Sequence, residues 1–406
     1  LLAGTPGIAF SREAATALLG QGDEAGDDAL EELGSAGLAD IRALHRAEGG
    51  RVRLPEHQRA HALRRARLDA AEGELAEAQL RLVRWVLRQG QRADRFAAGT
   101  RLVVADLADP LPGAPDVPLD DPAGTDDKDE ARQRRTRAAR WLYAERHLLF
   151  ACVRLAHARG WDTEAWALSE PVWTYFLDHP HQVDVTEVFR TAVEAAVRAG
   201  HAPAIVRTRS QLARALWESG RLDEAADELA HAMAVLDLLG GSARDLKLRA
   251  SVVEFRGMLH SVRGDWEAAA GDFAKSREVH RSIPNPYGVL LQTYRLGEAK
   301  TRLGELAEAE RLLAEAHEQA ETDGRERLTA RTGFALGHVL RPLGRTEEAR
   351  RLYQESLDAA RARGADSDEA RVLDAFAELA AEEGHAEEAE QHRAAARAIR
   401  QRQGLD

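Results

Sequence analysis

The chain has 406 residues, of which 44% are hydrophobic and 31% charged, and its formal net charge is −12. This balance is typical of a folded protein, and its length allows a small domain followed by a repeat array. The negative charge disfavours non-specific attraction to a phosphate backbone, so we expect no direct binding to nucleic acid.

The single Cys152 lies in an apolar run and is interpreted as a small core residue. No apolar stretch approaches the roughly 20 residues that cross a bilayer, and no signal peptide is recognisable. We therefore expect a cytoplasmic protein that does not bind a membrane.

Residues 1–70 predict a small domain of two helices followed by a β-hairpin. Ser11–Leu19 and Asp27–Leu33 are interpreted as the helices, residues 37–44 and 50–54 as the strands, and a further helix follows from about Pro55. This order is that of a winged helix. A loose helical lead-in to the repeats is the alternative.

The second helix is the one that would contact DNA in a winged helix. Here it carries Asp27, Asp28, Glu31 and Glu32, whose carboxylates would repel phosphates. We therefore interpret the domain as a module that packs within its own chain.

Residues 71–104 predict a helical connector, and residues 105–131 an acidic, proline-rich linker or loop. Residues 105–130 hold five prolines and nine carboxylates against Lys128 alone, a composition that cannot bury a core. A mobile linker is the main interpretation, and an acidic arm that docks on a basic surface is the alternative. Residues 132–206 predict degenerate helical repeats, with a helical pair over 136–176 that turns at Gly160 and a further helix over 185–200.

Residues 207–406 repeat with a period of about 40 residues. Turn glycines recur at spacings of 44, 40, 40 and 40 residues, which is typical of a solenoid. They are Gly220, Gly264, Gly304, Gly344 and Gly384.

Small and large residues alternate at fixed distances from these glycines. A small residue stands seven positions before each, and alanine stands five positions after each. Nine positions after come Leu229, Phe273, Leu313 and Tyr353, whereas the fifth repeat has Arg393, as expected of a solvated terminal repeat. The pattern resembles the tetratricopeptide repeat (TPR) family, although that family's repeat is about 34 residues long. The resemblance implies five TPR-like repeats in a mainly α fold, a right-handed α-solenoid superhelix.

The first helix of each TPR lines a groove, which predicts a binding surface. Positions 13, 10, 6 and 3 residues before each turn glycine should face it, and aromatic and arginine side chains there favour recognition. Packing of the same aromatics between repeats is the alternative. The candidate groove residues are Arg214, Trp217, Met258, Leu291, Tyr294, Arg331, Phe334, His338, Arg341 and Arg371. We expect Tyr294 and Phe334 to act as hydrophobic anchors, and Arg331 and Arg341 to orient an acidic segment.

The order of the domains resembles the C-terminal part of bacterial STAND signal-transduction ATPases of the NB-ARC type, in which a winged helix and a connector lead into a TPR sensor. The matching stretches are PGIAFSREAATALLG (6–20), DDALEELGSAGL (27–38), RVRLPEHQRAHA (51–62) and RWLYAERHLLFACVRLA (140–156). The sequence departs from the family because it has no GxxxxGK[ST] loop. Either it is a fragment or it has lost the ATPase.

No motif for catalysis is found. There is no nucleophile elbow and no HExxH, and His179 and His181 alone are interpreted as a polar turn. We therefore predict a non-enzymatic protein without cofactor or metal, which binds a protein, a peptide or a small ligand in its groove. The leading hypothesis is the sensor or regulatory arm of a STAND-type ATPase or transcriptional regulator, with the ATPase module in cis or in trans. The alternative is a free-standing TPR adaptor.

Overall fold

The computed structural model describes residues 1–7, 9–41, 50–69, 73–99, 101–119, 128–178, 183–363 and 365–403. The chain divides into two compact units, Leu1–Gly240 and Gly241–Asp406. The polar turn predicted at His179 and His181 lies outside the described residues. No helix of the described part is long and apolar enough to cross a membrane.

The described part of the first unit is mainly helical and contains one short antiparallel strand pair and an extended segment over 101–119. Its strands are β1 (Ala9–Phe10) and β2 (Val52–Arg53). Its helices are α1 (Arg12–Leu19), α2 (Asp23–Ser35), α3 (Glu56–Asp69), α4 (Glu74–Ala98), α5 (Lys128–Arg159), α6 (Asp162–Ala167), α7 (Ser169–Asp178), α8 (Val183–Arg198), α9 (Ala202–Glu218) and α10 (Leu222–Ala234).

The structure contains both predicted N-terminal helices, with differences at their ends. Ser11 caps α1 by accepting a hydrogen bond from the backbone N–H of Ala14, whereas α2 begins four residues earlier than predicted. Asp40 forms a β-bridge with Arg53, and residues 42–49 of the predicted hairpin lie outside the described part. The strand β1 was not predicted, because two residues are too few to show alternation.

Residues 101–119 pack against α4 and α7, which differs from the mobile linker that composition suggested. The indole N–H of Trp85 donates to the carbonyl of Pro115 at 2.9 Å, and the Arg88 guanidinium binds the Asp116 carboxylate at 2.7 Å. Leu119 is buried. The segment has no hydrophobic core of its own, and side chains of α4 hold it in place through polar contacts. Its composition can therefore be polar although the segment is packed.

The helical pair predicted over 136–176 turns at Gly160, as expected. Gly160 has a φ of 74°, the left-handed conformation that ends α5. The second arm of the pair is divided into α6 and α7. Cys152 of α5 is fully buried, and burial raises the pKa of its thiol, so its prediction as a core residue is confirmed.

The second unit consists of consecutive antiparallel helical pairs that pack on their neighbours in chain order. Its helices are α11 (Ala243–Arg263), α12 (Trp266–Arg281), α13 (Pro286–Arg302), α14 (Leu306–Thr322), α15 (Glu326–Leu340), α16 (Thr346–Arg363), α17 (Asp366–Glu382) and α18 (Ala386–Gln403). The protein is therefore a mainly helical α-solenoid.

The alternation of small and large residues sets the packing inside each repeat. A Cβ on Gly297 would lie 2.6 Å from Leu313, and one on Gly337 would lie 2.6 Å from the Tyr353 ring. Two helices can approach this closely only where one presents glycine or alanine. Arg393 of the last repeat is exposed, as predicted.

Candidate binding groove

Alternate helices of the second unit present a row of partly accessible side chains. These are the positions 13, 10, 6 and 3 residues before the turn glycine on α11, α13, α15 and α17, and we call this row the inner face. Most of its members are half-buried, and Arg371, Glu378 and Ala381 are exposed. Neighbouring inner helices touch through side chains, since Arg295 of α13 binds Glu254 of α11 at 3.2 Å. The inner face is thus one surface within the second unit.

Phe334 lies in an aromatic cluster and not alone on this surface. Its ring centroid is 4.5 Å from that of His338 and 5.6 Å from that of Tyr353. The Arg371 guanidinium stacks over its outer side at 5.1 Å. Phe334 therefore packs between repeats on one side and remains partly accessible on the other, which combines the two interpretations that the sequence left open.

Tyr294 is only 4% exposed, so it is not available as a hydrophobic anchor in this conformation. Burial raises the pKa of its phenol. Arg331 lies 5.3 Å from the centroid of the Tyr294 ring and interacts with Glu298, so its cation is engaged within the unit. The predicted roles of an exposed anchor for Tyr294 and of a free orienting cation for Arg331 are wrong for the same reason: the two side chains cover each other.

Arg341 is also engaged by neighbouring carboxylates. It binds Glu378 at 2.6 Å and approaches Glu382 at 3.6 Å, both on the next inner helix. Arg371 binds Asp368 at 2.7 Å but keeps about half of its side chain exposed. Of the predicted arginines in the second unit, Arg371 is therefore the most accessible.

Met258 and Leu291 are half-buried on α11 and α13. Met258 borders a cleft of about 220 Å³ with Trp266, Phe273 and Arg302. The sequence pattern missed Trp266 and Arg302, because Trp266 follows its turn glycine by two positions and Arg302 precedes its own by two. Neither spacing belongs to the four that define the inner face.

The first unit holds the remaining two predicted groove residues. Trp217 of α9 is 5% exposed, so the prediction that it forms part of an accessible groove is wrong. Arg214 lies 4.9 Å from the centroid of the Trp217 ring and binds Glu218 at 2.5 Å. Arg214 is therefore engaged by two side chains of its own helix.

No arrangement for metal chemistry is found at this surface. Within the ranges that the structure covers, no group of three or more His, Cys, Asp and Glu side chains is placed to hold a metal ion. The inner face carries aromatic rings, arginines and carboxylates among smaller and aliphatic side chains.

The inner-face histidine gives the second unit a predicted pH dependence. Burial lowers the pKa of His338 to about 4, with Arg341 and Arg371 adding to the shift and Glu378 opposing it. In the unfolded chain the pKa is about 6.5, so the unfolded state binds the proton first as pH falls. Stability is therefore complete above about pH 6.5 and is lost as pH falls toward 4.

We expect His338→Gln to remove up to about 3 kcal/mol of this pH dependence, since one pKa unit corresponds to about 1.4 kcal/mol. The free energy of unfolding of the second unit, measured by denaturant titration at pH 7 and 4.5, tests this. Burial also lowers the pKa of His280 to about 4. Part of the pH dependence of stability should therefore remain in His338→Gln. The exposed His385 provides the control, and an equal change in His385→Gln would contradict the assignment.

Comparison with known proteins agrees with this description. Residues 289–362 and 328–402 match the sequence profile of the Tetratricopeptide repeat family, which confirms the predicted family for the last three repeats. No curated protein sequence matches the chain.

Three solved structures illustrate what the chain is similar to. The apo form of RapI is 12% identical, with 66% of this chain and 97% of RapI covered and a TM-score of 0.51. BtubC from P. vanneervenii is 18% identical, with 54% and 91% covered and a TM-score of 0.46. A STAND protein with a tetratricopeptide repeat sensor from Pyrococcus horikoshii is 14% identical, with 100% of this chain and 59% of that chain covered and a TM-score of 0.44. The likeness to RapI supports the fold alone.

Proposed function

We propose that the chain is the sensor or regulatory arm of a STAND-type signal-transduction ATPase and that the inner face of its second unit captures a protein or peptide. The observation that carries the binding role is the inner face itself. Its accessible side chains include the half-buried Phe334 ring and the exposed Arg371 guanidinium. Aromatic and arginine side chains contribute much of the energy at interfaces. TPR repeats indicate a protein-binding role, regulatory or as an adaptor.

The regulatory assignment is supported by the N-terminal elements. Arg51, which directly precedes β2, binds the buried Glu145 of α5 at 2.9 Å, so the N-terminal elements contact α5 within the first unit. A module in contact with α5 can pass a change in the helical region to a neighbouring module. The exposed Asp28, Glu31 and Glu32 on α2 favour such packing over DNA binding.

A free-standing TPR adaptor is the second candidate, and a catalytic role is not part of either. The reading frame upstream of the first residue separates the two. A Walker A sequence there favours the sensor arm, and the encoded module should then hydrolyse ATP at a rate that changes when this chain is added. A start codon at the first residue favours the adaptor.

The binding role itself is tested at Arg371, the most accessible arginine predicted for the inner face. We expect Arg371→Glu to weaken capture of the purified partner about tenfold, because one charge-assisted contact is lost and a repulsive charge is gained. Arg351→Glu is the matched control, since Arg351 is exposed on α16 away from the inner face. The partner is first identified by affinity capture and purified. Calorimetry then measures its affinity for each of the two variants. Equal affinity for the two variants would place binding elsewhere.

A further inference from the structure

A cleft opens between the second and third TPR-like repeats, beside the inner face. It has a volume of about 220 Å³ and lies entirely within the second unit. Its walls are apolar: Met258 and Val262 from α11, and Trp266 and Phe273 from α12. Val262 is about half exposed, so the cleft is accessible from solvent. An apolar cavity of about 150 Å³ is enough to admit benzene, so this cleft has room for one bulky side chain.

The polar groups at the edge of the cleft are not equivalent. Arg295 is neutralised by Glu254 at 3.2 Å, and Glu298 interacts with Tyr294 and Arg331. Arg302 stacks over the Trp266 ring at 5.5 Å and is exposed. Within the described part of the chain, no carboxylate forms an ion pair with Arg302.

Arg302 therefore adds one positive charge at the edge of an apolar cleft. A cation beside an apolar cleft is complementary to a residue pair that joins a large apolar side chain to a carboxylate. The carboxylate would form a charge-assisted hydrogen bond with the guanidinium, which the Trp266 ring holds in place.

We propose that this cleft binds a large apolar side chain of a partner protein whose neighbouring residue is aspartate or glutamate. The proposal rests on the proposed function and names the chemistry of the partner. In this proposal Arg302 binds the acidic residue of the partner. Arg331 and Arg341, which the sequence predicted for that role, are engaged within the unit. The apolar side chain supplies affinity through burial, and the carboxylate supplies selectivity.

The chain offers a direct probe, because it contains only two methionines. Met258 lines the cleft, and Met233 lies on α10 in the first unit. In protein labelled with ¹³C at the methionine methyl groups, one native signal reports on the cleft in the second unit and the other on α10 in the first unit. An initiator methionine would add a third signal, which its removal identifies.

The ligand used is a short acetylated peptide with one phenylalanine between aspartates. We expect it to shift the Met258 signal in a saturable way and to leave Met233 unchanged. The same peptide with alanine for phenylalanine should bind at least about tenfold more weakly, because the buried ring is lost. A peptide with lysines for the aspartates should bind about tenfold more weakly than the acidic one, because Arg302 repels it.

Two variants assign the contacts. Arg302→Gln should weaken the acidic peptide about five- to tenfold and remove the preference over the lysine peptide. Arg311→Gln is the control for charge, since Arg311 is exposed on α14. Ser261 of α11 also lines the cleft. Ser261→Trp should therefore fill the cleft and abolish the Met258 shift, while circular dichroism verifies that the fold is retained.

The outcomes separate this proposal from the function on which it rests. If the acidic peptide leaves Met258 unchanged at millimolar concentration, or if Arg302→Gln and Arg311→Gln behave alike, the proposal is overturned. If in that case the purified partner still depends on Arg371, the inner face retains its binding role without the cleft. A Met258 shift with the predicted peptide order supports the proposal even where no natural partner has been found.

Discussion

Tyr353→Ala should destabilise the second unit by about 3–5 kcal/mol, the range for replacing a fully buried aromatic ring by a methyl group. Tyr353 has no exposed surface. Its ring packs against Phe334, His338 and Phe376, with centroids 5.4 to 5.8 Å apart, and fills the space that Gly337 leaves open. Removing it leaves a cavity at the junction of two repeats.

The matched control is Tyr353→Phe, which keeps the ring and removes only the hydroxyl. That hydroxyl is buried and forms no hydrogen bond within the described residues. We therefore expect no loss of stability, or a small gain, because an unsatisfied buried polar group is removed. Denaturant unfolding followed by hydrogen exchange in α15 to α18 measures both variants. A loss below about 1 kcal/mol for alanine would show that the junction collapses to fill the space.

Glu170→Ala should destabilise the first unit by a similar amount, about 3–5 kcal/mol. Glu170 is 2% exposed, and its two carboxylate oxygens accept hydrogen bonds from the backbone N–H groups of Val104 and Ala105 at 2.7 and 2.9 Å. The buried Arg207 guanidinium lies 3.9 Å away. Without the carboxylate, two backbone hydrogen bonds are lost and a buried cation loses a nearby negative charge.

Glu187→Ala is the control for this substitution. Glu187 is largely exposed, and its ion pair with Arg154 is long, at 4.0 Å. Its loss should change the free energy of unfolding by less than about 0.5 kcal/mol. Hydrogen exchange in α4 and α7 distinguishes the first unit from the second. Equal effects of the two substitutions would mean that water replaces the Glu170 carboxylate, and that residues 101–105 are held by other contacts.

The repeat region was predictable because its packing rule is local in sequence. Each turn glycine has a left-handed backbone, and each alanine five positions later is buried against the partner helix. Both follow from distances along one helical pair, so a single sequence with five copies shows them. The half-burial of the inner face followed from the same spacing.

The failures within the site have a different origin. Tyr294 and Arg331 were predicted to face solvent separately, yet they contact each other between α13 and α15. Arg341 is engaged by Glu378 in the same way. Contacts between side chains about 37 residues apart depend on the rotation between successive repeats, which the repeat spacing does not specify. The packing of residues 101–119 was missed for a related reason, since its partners lie on other helices.

The pairing of Arg341 on the inner face, and of Arg295 beside it, with carboxylates of neighbouring inner helices has a kinetic consequence. Because Arg295 and Arg341 are neutralised within the unit, the surface has little net positive charge to attract a partner from a distance. The isolated charge of Arg302 is screened beyond about 10 Å at 0.1 M salt. Association should therefore proceed near the unsteered rate of about 10⁵–10⁶ M⁻¹s⁻¹ and vary little with ionic strength. Differences in affinity between partners would then arise mainly from their dissociation rates.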